Sequence, residues 1–144
     1  MTDIERMAIE WACTRLINLY ATLNDAARWE EVAALYAEDA LMTRPTAPDV
    51  EIVGKAAILA CFLARPVRVS RHFCANIVID VESATAARAT SNLLLYAGSV
   101  HPDGGLPVLG SMPLVGEYRD RFALTNDGWR FVERRGMLAF RAGA

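Results

Sequence analysis

The sequence has few residues suited to holding metals or forming cross-links. Two histidines are present, His72 and His101, and three cysteines, Cys13, Cys61 and Cys74. The cysteines are odd in number, far apart and without a CxxC pair, so neither a disulfide framework nor a thiolate zinc site is expected. Each lies in an apolar run, which suits a reduced, packed thiol and a cytoplasmic protein. No apolar run approaches the ~20 residues that cross a bilayer, so no membrane partner is expected. The start, Met1 to Arg6, lacks a basic segment followed by an apolar one, and no secretory signal is expected. Charge of one sign is not concentrated either. The formal net charge is −2. The late arginines Arg119, Arg121, Arg130, Arg134 and Arg135 alternate with Asp120, Asp127 and Glu133, which predicts a solvated or paired face and no nucleic-acid partner.

What is abundant is apolar. Hydrophobic residues make up 53% of the 144 positions. That length fits one domain, taken as residues 1–144, with a sizeable core. Ile4, Met7, Ala8, Trp11, Ala12, Leu16, Leu19, Tyr20 and Leu23 recur at three- and four-residue steps and predict a long helix. Thr2 or Asp3 can cap it. Asn24-Asp25 breaks the pattern, and Trp29 to Tyr36 resumes it as a shorter helix. Short strands are expected at Ala40 to Thr43 and Glu51 to Val53. A loop is expected at Arg44 to Asp49, because its prolines cannot serve an interior ladder. Lys55 to Ala64 reads as a third helix, closed off by Pro66.

The second half alternates and is rich in β-branched and aromatic residues. Strands are expected at Val69 to Val81, Ala86 to Ala97, Val115 to Thr125 and Trp129 to Phe140. Asn126-Asp127-Gly128 is a tight turn joining the last two. His101 to Pro113, rich in Gly and Pro, reads as an irregular loop. Helices first and an antiparallel meander second imply an α+β fold with the helices on one sheet face.

Several strings in this order resemble one known family. Leu19 to Asp25 followed by Trp29, Ala34 to Ala40, Gly54 to Ile58, Arg71-His72-Phe73 with Asn76 and Asp80, Gly116 to Phe122, and Asp127 to Phe131 are similar to segments of SnoaL-like and scytalone dehydratase-like proteins. These belong to the superfamily of nuclear transport factor two. The resemblance implies a cystatin-like cone: three N-terminal helices packed on a curved antiparallel sheet, around a pocket for an apolar small molecule. The fold hosts dehydratases, isomerases, cyclases, dehydrochlorinases and proteins that only bind. Ser91 to Tyr96 is also similar to the small, structural subunit of ring-hydroxylating dioxygenases.

The candidate site residues follow. His72 lies in an apolar strand, where alternation puts it on one face with Cys74, Asn76 and Val78. There it can serve as a general base, or be a core histidine satisfied by a backbone carbonyl. Asp25 sits at the helical break and is either a turn residue or a partner that fixes an imidazole tautomer. The resemblance implies the functional choice for both: His72 as catalytic base, with Asp25 orienting it. Tyr20 is either core or a hydrogen-bond donor to a substrate oxygen. It precedes Asp25 by five residues, about 140° round a helix, so the chain is expected to bend at the corner if both reach one cavity. Asn92, Tyr96, Tyr118 and Asn76 are further candidates for lining a substrate pocket. Trp11, Trp29 and Trp129 read as packing residues, and Arg71 as a surface or interface residue.

Two departures from the family matter. Leu41-Met42-Thr43 offers no tyrosine where some relatives have one, and Arg71-His72 replaces a double histidine. Together the expectations are a cofactor-independent lyase or isomerase of dehydratase type, without a metal, acting on an apolar cyclic compound. The alternative is a non-catalytic binding or assembly subunit. A homo-oligomer, dimer or trimer, is expected because an open sheet exposes an outer face.

Overall fold

We describe a computed structural model covering residues 1–110 and 112–141. Ser111, in the expected loop, and residues 142–144, in the expected domain, lie outside the described residues. Helix α1 spans Asp3–Asp25. Its start is a capping box: Thr2 Oγ1 accepts from Glu5 N, and the Glu5 carboxylate accepts from Thr2 N at 2.7 Å. Two of the otherwise unpaired first-turn donors are thereby satisfied. Ile9, Cys13, Leu16, Ile17, Tyr20 and Leu23 form its buried stripe. Its end is a Schellman turn, with Arg28 N donating to Leu23 O and Ala27 N to Asn24 O, both at 3.0 Å. The left-handed residue this turn needs is Ala27, at φ 53°, where glycine is usual. The expected break at Asn24-Asp25 is therefore the true end of a continuous helix.

Helix α2 is only Trp29–Ala33, and β1 then covers Tyr36–Arg44. The expected helix through Tyr36 stops short because Phe131 N donates to Leu35 O at 2.9 Å. That bond starts a parallel pairing of Tyr36 with Phe131. Strand β2 is Ala47–Val53 and returns antiparallel to β1. The expected loop shrinks to the turn around Pro45-Thr46, and Pro48 is tolerated because β2 is an edge strand. Helix α3 is Lys55–Leu63. Strands β3 (Val69–Ser83), β4 (Ala86–Ser99), β5 (Val108–Leu109), β6 (Leu114–Thr125) and β7 (Gly128–Leu138) complete the chain. The sheet order is β2-β1-β7-β6-β4-β3, with the short β5 beside β4.

The parallel β1–β7 pair makes the sheet mixed, where a purely antiparallel one was expected. It is curved and unclosed, and the helices pack on its concave face. One core cluster links α1, α2 and α3 to the inner residues Ala87, Ala89, Leu93, Leu95, Tyr118, Phe122 and Phe131. A bulge in β3 decides which residues reach this core. Ala75 pairs with Asn92 and Val78 with Thr90, so β3 holds one extra residue there. Asn76 sits in the bulge at φ 52°. Alternation therefore changes phase: His72 and Cys74 face inward, but Asn76 and Val78 do not share their face. The half-buried Ile77, Ile79 and Val81 take the inward places.

Candidate active site

Asp25 occupies the last residue of α1, where the helix dipole is negative and a carboxylate is disfavoured. Its neighbours on β3 offset this. Asp25 Oδ2 accepts from the backbone N of His72 at 2.8 Å, and Oδ1 accepts from Ser70 Oγ at 2.9 Å. Oδ1 also meets His72 Nδ1 at 2.5 Å. Every available group around this carboxylate donates, so Nδ1 carries the proton in the neutral ring. Nε2 is left unprotonated as the basic nitrogen. The side chains are nearly enclosed, with relative exposures of 5% for His72 and 13% for Asp25.

His72 lines a cavity of about 260 Å³ between the helices and the sheet, with Tyr20, Leu93, Leu95 and Tyr118. Burial lowers its pKa below the ordinary imidazole value. The hydrogen bond and charge of Asp25 work against that shift, and the charges of Arg68 and Arg65 add to it. The net direction is down, so His72 is neutral at neutral pH and available as a base. Asp25 does not line this cavity; it lies behind His72, beside a smaller recess. The expected bend that would bring Tyr20 and Asp25 to one cavity is absent. Five residues along one continuous helix place Tyr20 at the cavity and Asp25 against the back of the imidazole.

Tyr20 is 4% exposed and lines the cavity with Tyr118. The two rings meet edge to face at 5.9 Å, and Tyr36, Phe62 and Phe131 surround Tyr20 in the same manner. Burial pushes the Tyr118 phenol well above its ordinary value. It is therefore a neutral hydroxyl, able to donate. Leu93, Leu95 and Leu114 form an apolar wall. Thr43 exchanges bonds with Gly136, and a Cβ at Gly136 would stand 2.6 Å from Pro45. Only glycine lets the Arg44-Pro45-Thr46 turn sit against the sheet at the cavity mouth.

The structure does not bring the other three candidates to this place. Asn92 and Tyr96 pair with Ala75 and Arg71 and lie on the outer sheet face. There Tyr96 meets Phe73 edge to face at 6.4 Å. Asn76, in the bulge, is exposed. His101 accepts from Asp103 N in its own loop at 3.2 Å and is not among the cavity residues. No cluster of three or more metal-ligating side chains occurs among the described residues.

Sequence reasoning overlooked Ser70, and it overlooked Arg44, Arg65 and Arg68, which line the cavity mouth. Arg65-Pro-Val-Arg68 after the third helix was the available signal. It also placed the whole run of late arginines on a solvated or paired face. Arg135 does pair, with Glu133 and Glu51. Arg134 pairs too, but in the core: with Asp120 it forms a 2.7 Å pair at 0% exposure for both side chains. Its guanidinium lies 3.7 Å from the Tyr118 ring centroid and 4.3 Å from that of Tyr20. Burial pushes Asp120 up to about 6, opposed by Arg134. Burial works against the Arg134 charge, and Asp120 with the tyrosine hydroxyls more than offsets it.

Residues 5–135 match the model of the SnoaL-like domain family. The chain belongs to that family. No curated protein matches it in sequence. Among solved structures, this SnoaL-like chain is similar to a scytalone dehydratase-like protein of Novosphingobium aromaticivorans. Identity is 22%, covering 99% of this chain and 95% of the other, at a TM-score of 0.80. It is similar to a type 2 hexachlorocyclohexane dehydrochlorinase (LinA) at 18% identity, 99% and 95% coverage and a TM-score of 0.79. An aromatic ring hydroxylase-like protein of N. aromaticivorans matches at 20% identity, 94% and 92% coverage and a TM-score of 0.74. These similarities establish the cystatin-like architecture of the SnoaL-like chain.

Proposed function

We propose that this SnoaL-like protein is a cofactor-independent lyase or isomerase acting on a cyclic small molecule. The observation that carries this is the 2.5 Å contact between Asp25 and His72 Nδ1, which leaves Nε2 for the cavity. Nε2 takes a proton from a carbon next to a carbonyl or similar activating group. The electron pair released forms a carbon–carbon double bond and expels hydroxide or halide from the next carbon. Alternatively it delocalises into the carbonyl and is reprotonated elsewhere, shifting a double bond. Asp25 stabilises the imidazolium formed in either case. The hydroxyls of Tyr20 and Tyr118 donate to the substrate oxygen, where negative charge develops. The leucine wall receives the ring. The scytalone dehydratase-like and dehydrochlorinase neighbours support elimination chemistry as the class.

The test is deuterium uptake. A panel of cyclic ketones and β-hydroxy ketones is incubated with the protein in D2O, and exchange is followed by NMR. We expect catalysed exchange, lost in His72→Ala. Exchange at an unchanged rate in that variant refutes the role of His72.

A second reading is a non-catalytic binding or assembly subunit. Exposed Phe73, Val78 and Tyr96 on the outer sheet face favour it, as does the ring hydroxylase-like neighbour. Co-purification with a larger, unrelated chain supports the assembly role. A pure dimer or trimer by light scattering supports the homo-oligomeric enzyme.

A further inference from the structure

We propose that the ring compound taken by this cavity carries a carboxylate, and that Arg44, Arg65 and Arg68 receive it at the mouth. The proposal rests on the cavity being the substrate site and adds the chemical class of its ligand. The twelve lining residues include three arginines and His72 but no Asp or Glu. The arginines come from two separate places in the chain, the end of β1 and the connection from α3 to β3, and the fold gathers them at one rim. Among the described residues, the arginines found in ion pairs are Arg28, Arg88, Arg119, Arg134 and Arg135 instead.

Gathering like charges around a partly enclosed space is unfavourable unless something negative joins them. The cost shows at Arg68, whose pKa is lowered by burial and then by the Arg65 charge, a net lowering that the charge of Asp25 behind the cavity opposes without cancelling. Arg65 is held in place without a carboxylate. Its Nη1 donates to Asn24 Oδ1 at 3.2 Å, and its guanidinium lies 4.4 Å from the Phe62 ring centroid. A guanidinium fixed by an amide and an aromatic face keeps free N–H donors for a planar oxyanion.

Apart from His72, Thr46 and the two tyrosine hydroxyls, the rest of the cavity lining is apolar. Leu93, Leu95, Leu114, Tyr20 and Tyr118 offer no positive charge and suit a ring. Polarity is thus divided between a cationic rim and an apolar floor, which selects a molecule divided in the same way. A volume of about 260 Å³ limits it to one or two rings. A carboxylate at the rim also offsets the two arginine charges that weaken His72 as a base.

The experiment compares 2-naphthoate with its neutral isostere 2-naphthamide by isothermal titration calorimetry. The intact protein, Arg65→Gln/Arg68→Gln, Arg44→Gln and His72→Ala are titrated, with the melting temperature of each variant checked first. We expect the naphthoate to bind about 10- to 100-fold more tightly than the amide, the range of a charge-assisted hydrogen bond. The preference should shrink in the arginine variants, fall with added salt and persist in His72→Ala. Equal binding of acid and amide overturns the proposal. So does a preference untouched by the arginine substitutions, or no naphthoate binding at millimolar concentration. Loss of exchange catalysis in His72→Ala with the acid preference intact confirms the two roles separately. An intact preference with no dependence of exchange on His72 defeats only the catalytic proposal.

Discussion

Among the described residues, two enclosed charge-bearing pairs stand on the concave face, and they differ in kind. Asp25–His72 stands beside the cavity, and its carboxylate oxygens accept from three donors. Asp120–Arg134 is completely buried, yet Asp120 Oδ1 and Arg134 Nε and Nη2 have no partner. In the first, both carboxylate oxygens are satisfied, and its imidazole protonates below the ordinary value for the group. The second joins a permanent cation to its counterion, caged by Tyr20, Tyr118 and Phe131. Proximity of charge therefore does not distinguish the two pairs. Access to a cavity and a titratable partner do, and they are what the proposed proton transfer requires.

Substitutions should separate the two pairs. His72→Ala removes the base and should lower turnover by about 10²–10⁴-fold, while shifting the denaturation midpoint much less than any cut in the other pair. Asp120→Asn should do the reverse. Stranding the Arg134 charge costs about 3–5 kcal/mol of stability in chemical denaturation, with activity per folded molecule changed less than in His72→Ala. Similar effects of both substitutions on turnover would end the distinction. Asp25→Asn keeps the shape but replaces a charge-assisted bond worth about 1.5–3 kcal/mol. Turnover should fall about 10- to 100-fold, and less than in His72→Ala.

The pH dependence sharpens the same contrast. His72 must be neutral to act, and its pKa in the fold lies below the ordinary value near 6.5. Activity should stay level as pH falls through 6.5 and decline only below it, as a rate profile will show. The same shift affects stability. As pH drops from the unfolded value toward the folded one, the unfolded chain takes up the proton first, so folding is weakened across that window. The smallest expected effect lies at the corner behind the site. Ala27→Gly relieves a left-handed alanine and should raise stability by about 0.5–1 kcal/mol net of the added chain entropy. A loss of stability would show that Ala27 is not strained.

The helices, the final hairpin and the order of elements were legible because periodicity and turn residues are local signals. Thr2 with Glu5 marked the start of α1, and Asn126-Asp127-Gly128 marked the last turn. Other features were misread for reasons equally specific. Leu35 and Tyr36 fit a buried helical stripe as well as a buried strand, and only Phe131, far along the chain, selects the strand. The bulge at Asn76 moves Val78 outward and Ile77 inward, and nothing in an apolar alternating run announces one extra residue. Arg134 reads as one charge in a charged run. Its burial follows from facing Asp120 across the β6–β7 pairing.

The sequence by itself determined α1, α3 and the long strands of the second half, and it supplied a histidine and an aspartate at telling places. Those outcomes depend on interactions within a few residues. Only the tertiary structure brought Asp25 to His72 across 47 positions, turned Asn92 and Tyr96 to the outer face, and collected three arginines at one rim. Each of these follows from strand register and from the packing of α1 across β3. Both are set by the simultaneous burial of many side chains, which no single stretch of sequence contains.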